Sequence, residues 1–168
     1  MADDVHDRRM SPAPTLESLG LQDFAPFLVN RISATYNSQV QEMLHSHDLT
    51  TPKMRTLAVL ATQGPLTVNE LAYLAVFEQS TMSRTLDALE KQGFVQREQR
   101  ATDMRVRELR ITEAGRSVFE SFWPALYRLY DDMFEGVAPA DRERLIDTLH
   151  RVLANLNRTP QKGGETQD

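Results

Sequence analysis

Within the six residues 79–84 stand Gln79, Ser80, Thr81, Ser83 and Arg84, interrupted only by Met82. These are hydroxyls, one amide and one long cation. The acids and the lysine of the same stretch, Asp87, Glu90 and Lys91, come later. A solvated helix face mixes its charges throughout; this one opens on uncharged donors and acceptors. Such groups can read base edges, because glutamine pairs bidentately with adenine, arginine with guanine, and serine or threonine with several partners. The bland alternative is a polar helix whose serine and threonine serve as caps.

A second cluster follows. Between residues 97 and 110 five arginines (Arg97, Arg100, Arg105, Arg107 and Arg110) face three acids (Glu98, Asp103 and Glu108), a local excess of two positive charges. The whole chain of 168 residues carries a net charge of −5. Affinity for nucleic acid rests on cations meeting phosphates, so the local balance is the relevant one, and an acidic protein can carry a basic edge.

Other chemistries find less support. The run His45-Ser46-His47-Asp48 suggests a metal site, but helical zinc ligands stand at i and i+4, and a spacing of two puts these imidazoles on different faces. They read as helix-end histidines in solvent, even with His150 counted, and no metal is expected. Nothing resembles a strained nucleophile elbow or a glycine-rich phosphate loop. Glu42, Asp48, Asp131 and Asp132 read as solvated charges, so neither enzymatic activity nor a cofactor is expected. The chain has no cysteine, which excludes disulfides and thiolate chemistry. No apolar run of eighteen residues is present, so no membrane span is expected. The polar N-terminus points to a cytoplasmic protein.

The elements that would position the two clusters follow from periodicity. Residues 1–15 and 159–168 lack it and are expected to be disordered. Apolar residues at 28, 32, 36, 40 and 43 or 44 predict a helix from Phe24 to about His47, with Pro26 in its first turn. In Leu49-Thr50-Thr51-Pro52 a threonine can cap the next helix, whose face is Met54, Leu57, Ala58 and Ala61. Thr67 and Glu70 have capping-box spacing and open a short helix with Leu71 and Leu74 inward. Met82, Leu86 and Leu89 then form the inner stripe of the helix ending at Gly93, with Ser80, Ser83, Arg84 and Asp87 on the other side. The period changes to two in 94–99 and 105–111, a hairpin joined by a polar link. Thr112 and Glu113 start a helix in which Pro124 is expected to cause a bend or break near 120–123. A last helix carries Leu145, Leu149, Val152, Leu153 and Leu156.

The fold class is thus mainly α with a small β-hairpin, an α+β winged helix-turn-helix with a helical arm. Residues 49–116 form the winged helix-turn-helix, and 16–48 with 117–158 the helical arm. The aromatic and apolar stripes of the terminal helices want a partner, and the simplest is a second copy about a two-fold axis.

Residues 49–116 resemble the winged-helix domain of the MarR (multiple antibiotic resistance regulator) family of bacterial transcription factors. The resemblance rests on L-T-T-P at 49–52, V-N-E-L-A at 68–72, Q-S-T-M-S-R at 79–84, L-D-A-L-E-K-Q-G-F-V at 86–95, D-M-R at 103–105 and L-R-I-T-E-A-G-R at 109–116. The flanking helices match in pattern more than in motif. Val76 departs from the glycine common in such turns, and Glu78 from the usual serine or aspartate cap.

The resemblance implies a homodimer on double-stranded DNA, binding a pseudo-palindrome, more often as a repressor. It implies base and phosphate contacts from Ser80, Thr81, Ser83 and Arg84, and a wing in which Arg105 enters a minor groove while Asp103 orients the loop. Gln79, Arg97 and Arg100 complete the expected DNA-facing set. It further implies a small aromatic effector, for which Tyr36, His45 and Arg55 are candidate lining residues. The rival reading is a dimeric helical module that binds a ligand or protein without DNA, a reading the net charge favours.

Overall fold

The computed structural model describes residues 15–45, 49–100 and 102–158. His47, Asp48 and, of the two tails expected to be disordered, residues 1–14 and 159–168 lie outside that range; Thr15 is described, and it accepts from the Ser18 and Leu19 N–H groups. The elements are α1 (Leu16–Leu19), α2 (Ala25–His45), α3 (Thr51–Gln63), α4 (Val68–Ala75), α5 (Gln79–Lys91), β1 (Val95–Arg100), β2 (Asp103–Ile111), α6 (Glu113–Asp132) and α7 (Pro139–Arg158). The four-residue α1 was not anticipated. The chain divides into two compact units at Pro124.

The first unit is built on one core. Leu57 and Leu60 of α3, Leu71, Ala72 and Ala75 of α4, Met82, Leu86 and Leu89 of α5, and Val95 and Leu109 of the hairpin are buried together. The stripe expected on α5 is therefore the inner face of the helix. The face expected on α4 is corrected: Leu71 is buried but Leu74 is 44% exposed, and Ala72 and Ala75 turn inward instead. Leu60, absent from the expected face of α3, is buried as well. Leu71 and Ala75 stand one turn apart on the inner face with Ala72 beside them, and Leu74 falls at its edge.

Local signals set the helix ends. Thr50 caps α3 by accepting from the Lys53 N–H, with Pro52 in the first turn. Thr67 and Glu70 form a complete capping box. The Glu70 carboxyl is held below the usual carboxylate range, first by the Thr67 backbone N–H and then by its hydroxyl. Between α4 and α5 the chain turns at Val76, which adopts a left-handed conformation (φ 58°, ψ 54°). Glu78 precedes α5 without a side-chain cap. Gly93, at φ 73°, ends the helix and lets the chain reverse into β1.

The strands pair antiparallel, from Val95 opposite Ile111 to Arg100 opposite Asp103, with an irregularity between Gln99 and Arg100. The second strand begins two residues earlier than expected, so Asp103 and Met104 belong to it. Leu66 exchanges both backbone hydrogen bonds with Leu109, at 3.2 and 2.7 Å, and so ties the hairpin to the loop before α4.

Helix α6 starts where expected: the Thr112 hydroxyl accepts from the Gly115 N–H at 3.0 Å and donates to the Gly93 carbonyl at 2.7 Å. The helix continues through Pro124 instead of breaking there. Loss of one N–H and a ring clash disfavour proline inside a helix, but nineteen other helical residues hold the run together. In the second unit, Arg142 of α7 lies over the rings of Tyr130 and Phe134, 5.9 and 5.8 Å from their centroids. No residue of α7 is buried.

Candidate nucleic-acid interface

The inner stripe of α5 fixes what its outer face can do. With Met82, Leu86 and Leu89 anchored in the core, Gln79, Ser80, Ser83 and Arg84 stand exposed at the N-terminal half. Thr81 is half-buried, and its carbonyl accepts from the Thr85 hydroxyl at 2.8 Å. Two open grooves flank this half of the helix. One is lined by Val68, Asn69, Glu78, Gln79, Ser80 and Ser83. The other is lined by Thr50, Lys53, Thr81, Arg84, Thr85 and Ala88. The candidate reading residues therefore come together at one edge, and Asn69 and Lys53 join them from α4 and α3. Sequence reasoning missed both. The signal available for Asn69 was its place in the first turn of the helix preceding α5.

Arg84 folds along its own helix, its Nε donating to the Ser80 carbonyl at 3.3 Å. The Gln79 amide donates to Asn69 Oδ1 at 2.6 Å. At such an edge a helix can present side chains to a groove, its N-terminal residues nearest the base edges.

The arginines of the hairpin separate into two groups. Arg97 reaches back to α5 and pairs with Asp87 at 3.2 Å and Glu90 at 3.0 Å. Arg100 pairs across the hairpin with Glu108 at 2.5 Å, and this bond raises its guanidinium above its ordinary value. Arg110 pairs with Glu98 at 3.0 Å. Arg105 and Arg107 have no carboxylate partner among the described residues. Asp103 Oδ1 accepts from the Arg105 N–H at 3.0 Å, so the carboxylate sets the backbone from which Arg105 projects. Beside it Met104 is 69% exposed. Of the cations expected to face DNA, Arg105 and Arg84 have no acidic partner among the described residues, whereas Arg97 and Arg100 are engaged with acids.

The candidate ligand residues are only partly gathered. Arg55 donates to Asn37 Oδ1 at 2.6 Å and lies 5.4 Å from the centroid of the Phe77 ring. Burial raises the Tyr36 hydroxyl above its ordinary value, against the opposing charge of Arg55. Arg55 also lines a cleft of about 310 Å³ with Ser33, Ala58, Val59, Leu74 and Val76. His45 is the last residue of α2 and exposed. It lies nine residues, about 13 Å along the helix, from Tyr36, and is not part of that cleft. No group of three or more metal-binding side chains occurs among the described residues, and none of their helices is long and apolar enough to cross a membrane.

Two helices joined by a tight turn, the second with a polar, arginine-bearing outer face, followed by a two-stranded wing, define a winged helix-turn-helix protein. Residues 49–106 match the MarR family model. A MarR-family transcriptional regulator from Silicibacter pomeroyi superimposes with a TM-score of 0.79 at 39% identity, over 84% of this chain and 96% of that one. A second from the same genus and species gives 0.77 at 32% identity, over 86% and 99%. The HTH-type transcriptional repressor IacR of Pseudomonas putida is 27% identical over 143 residues, 85% of this chain and 86% of its own length. The chain belongs to the MarR family of DNA-binding transcription regulators.

Proposed function

We propose that the protein is a homodimeric repressor that binds a pseudo-palindromic operator and is released by a small aromatic effector. Residues 49–116 form the DNA-binding part, and 16–48 with 117–158 the dimerisation part. The observation that carries the reading is the outer face of α5: Gln79, Ser80, Ser83 and Arg84 exposed at one edge, on a helix whose opposite stripe is locked in the core. In this reading Gln79, Ser80, Ser83 and Arg84 meet base edges and Thr81 a phosphate. Arg105 enters the adjacent minor groove, and Asp103 holds its backbone. Arg97 and Arg100 brace the wing through their acids and contribute only to the surrounding potential.

Pairing is supported by apolar side chains left in solvent. Leu28, Val29 and Ile32 of α2, and Leu145, Leu149, Val152, Leu153 and Leu156 of α7, are all exposed in the single chain. Burying such stripes against a second copy removes them from water at about 25 cal/mol per Å². Repression is supported by the relative IacR, which is named a repressor. For the effector, the cleft beside Arg55 offers an apolar wall in Leu74 and Val76 and a guanidinium able to hold a carboxylate. A ligand there acts only through unequal affinity for the DNA-bound and free arrangements.

Selection of bound duplexes from a random pool, with and without aromatic acids, tests the proposal. The expected result is an inverted repeat whose recovery falls when the right acid is present. Recovery of no common motif would contradict it.

A further inference from the structure

Asn69 lies in the first turn of α4, outside the helix that carries the reading residues, yet its Oδ1 accepts a 2.6 Å hydrogen bond from Gln79 Nε2. Both side chains line one open groove beside Ser80 and Ser83. A primary amide has two N–H donors and one acceptor oxygen. With one N–H given to Asn69, Gln79 keeps one N–H and its Oε1. Those are the two groups a glutamine needs for adenine, an N–H toward N7 and an oxygen toward the N6 amino group. Glu78, its neighbour in sequence, makes no side-chain hydrogen bond to cap α5, and Asn69 is the side chain that meets the Gln79 amide.

From this juxtaposition we propose that Asn69 is a positioning residue for base recognition: it holds the Gln79 amide in the orientation that reads adenine. A glutamine side chain free in solvent samples many rotamers and loses that freedom on binding. A partner that fixes it beforehand lowers this cost, because ordering is done before the DNA arrives. The proposal rests on the reading of α5 given above and adds a specificity determinant from the preceding helix.

The test uses the full-length protein and the duplex selected by the wild type. Affinity is measured on that duplex and on one in which the A·T pair read by Gln79 is replaced by G·C, for wild type, N69A, Q79A, the double variant and N69D. Wild type should prefer A·T by about tenfold. Q79A should lose that preference, and N69A should lose about fivefold of it. The double variant should discriminate no worse than Q79A, because one interaction is being removed twice. N69D keeps the acceptor oxygen, so its preference should survive while its added charge weakens binding to both duplexes. Thermal melts matched to wild type exclude unfolding, since position 69 is exposed. Full A·T preference in N69A, or additive losses in the double variant, would overturn the proposal while leaving DNA reading by α5 intact. A wild type that selects no duplex would overturn both.

Discussion

The guanidinium of Arg55, on α3, lies 5.4 Å from the centroid of the Phe77 ring, in the turn that leads into α5. The same side chain donates to Asn37 of α2 at 2.6 Å. One residue thus joins the first long helix to the turn before the reading helix. Arg55→Ala removes a cation–π contact and a charge-assisted hydrogen bond. A loss of about 1–3 kcal/mol in urea unfolding is expected. Lysine should restore little of it, because it lacks the planar fork that spans both partners.

Val76 occupies a left-handed conformation with its side chain 76% exposed. That conformation costs a residue with a Cβ about 1–2 kcal/mol, and the exposed side chain returns little burial. Glycine removes the strain but adds about 0.5–1 kcal/mol of unfolded-state freedom. Val76→Gly should therefore raise stability, by up to about 1 kcal/mol. A melt showing a clear loss would mean that Val76 packs against something the single chain lacks.

Gly115 is constrained by closeness. A Cβ there would stand 2.1 Å from the Phe94 carbonyl oxygen, a backbone atom that cannot swing aside. Gly115→Ala should cost about 1–3 kcal/mol and shift α6 away from the start of β1. Denaturant titration measures the first effect and amide chemical shifts around Phe94 the second.

The capping box at the start of α4 gives a pH signature. Glu70 is held below its ordinary range in the folded chain. A depressed carboxyl contributes stability that is present above its unfolded pKa and lost as pH falls through the folded one. Thr67→Ala should lower stability at neutral pH by about 1 kcal/mol. It should also make the fall on acidification below the unfolded carboxylate pKa somewhat shallower, because the hydroxyl is lost while the Thr67 backbone N–H, the larger cause of the Glu70 shift, remains; parallel melts at neutral and acid pH would reveal this.

The two kinds of hairpin arginine should behave differently on DNA. Arg105→Ala should weaken binding and lower the slope of log affinity against log salt by about one. Arg97→Ala should leave that slope unchanged, since its charge is already met by Asp87 and Glu90. Its effect on stability should stay within about 1 kcal/mol, as for other solvent-exposed pairs. An equal change of slope in both variants would remove the distinction.

How far the sequence speaks depends on the range of each interaction. The cap at Thr50, the box at Thr67–Glu70 and the stripe Met82–Leu86–Leu89 involve residues three or four apart, so spacing alone reveals them. The inward face of α4 was misread because eight residues give barely two turns, and alanines weigh little in a hydrophobic pattern. Of the bend or break expected near Pro124 from a local rule, the break is absent, since α6 runs on from Glu113 to Asp132. The pairing of Arg97 with Asp87 and Glu90, of Arg100 with Glu108 and of Gln79 with Asn69 depends on how α4, α5 and the hairpin meet. No local pattern carries that information, and so arginines equal in sequence prove unequal in space.

In the repressor we propose, two copies of α5, held by one dimer, enter successive major grooves on the same side of a duplex. Hydroxyl-radical footprinting of the protein on its selected duplex at low ionic strength tests it most directly. Two symmetric protected patches are expected, centred about one helical turn, 10–10.5 base pairs, apart, with both lost together in Arg84→Ala. A single asymmetric patch, or a folded protein that protects nothing, would contradict it.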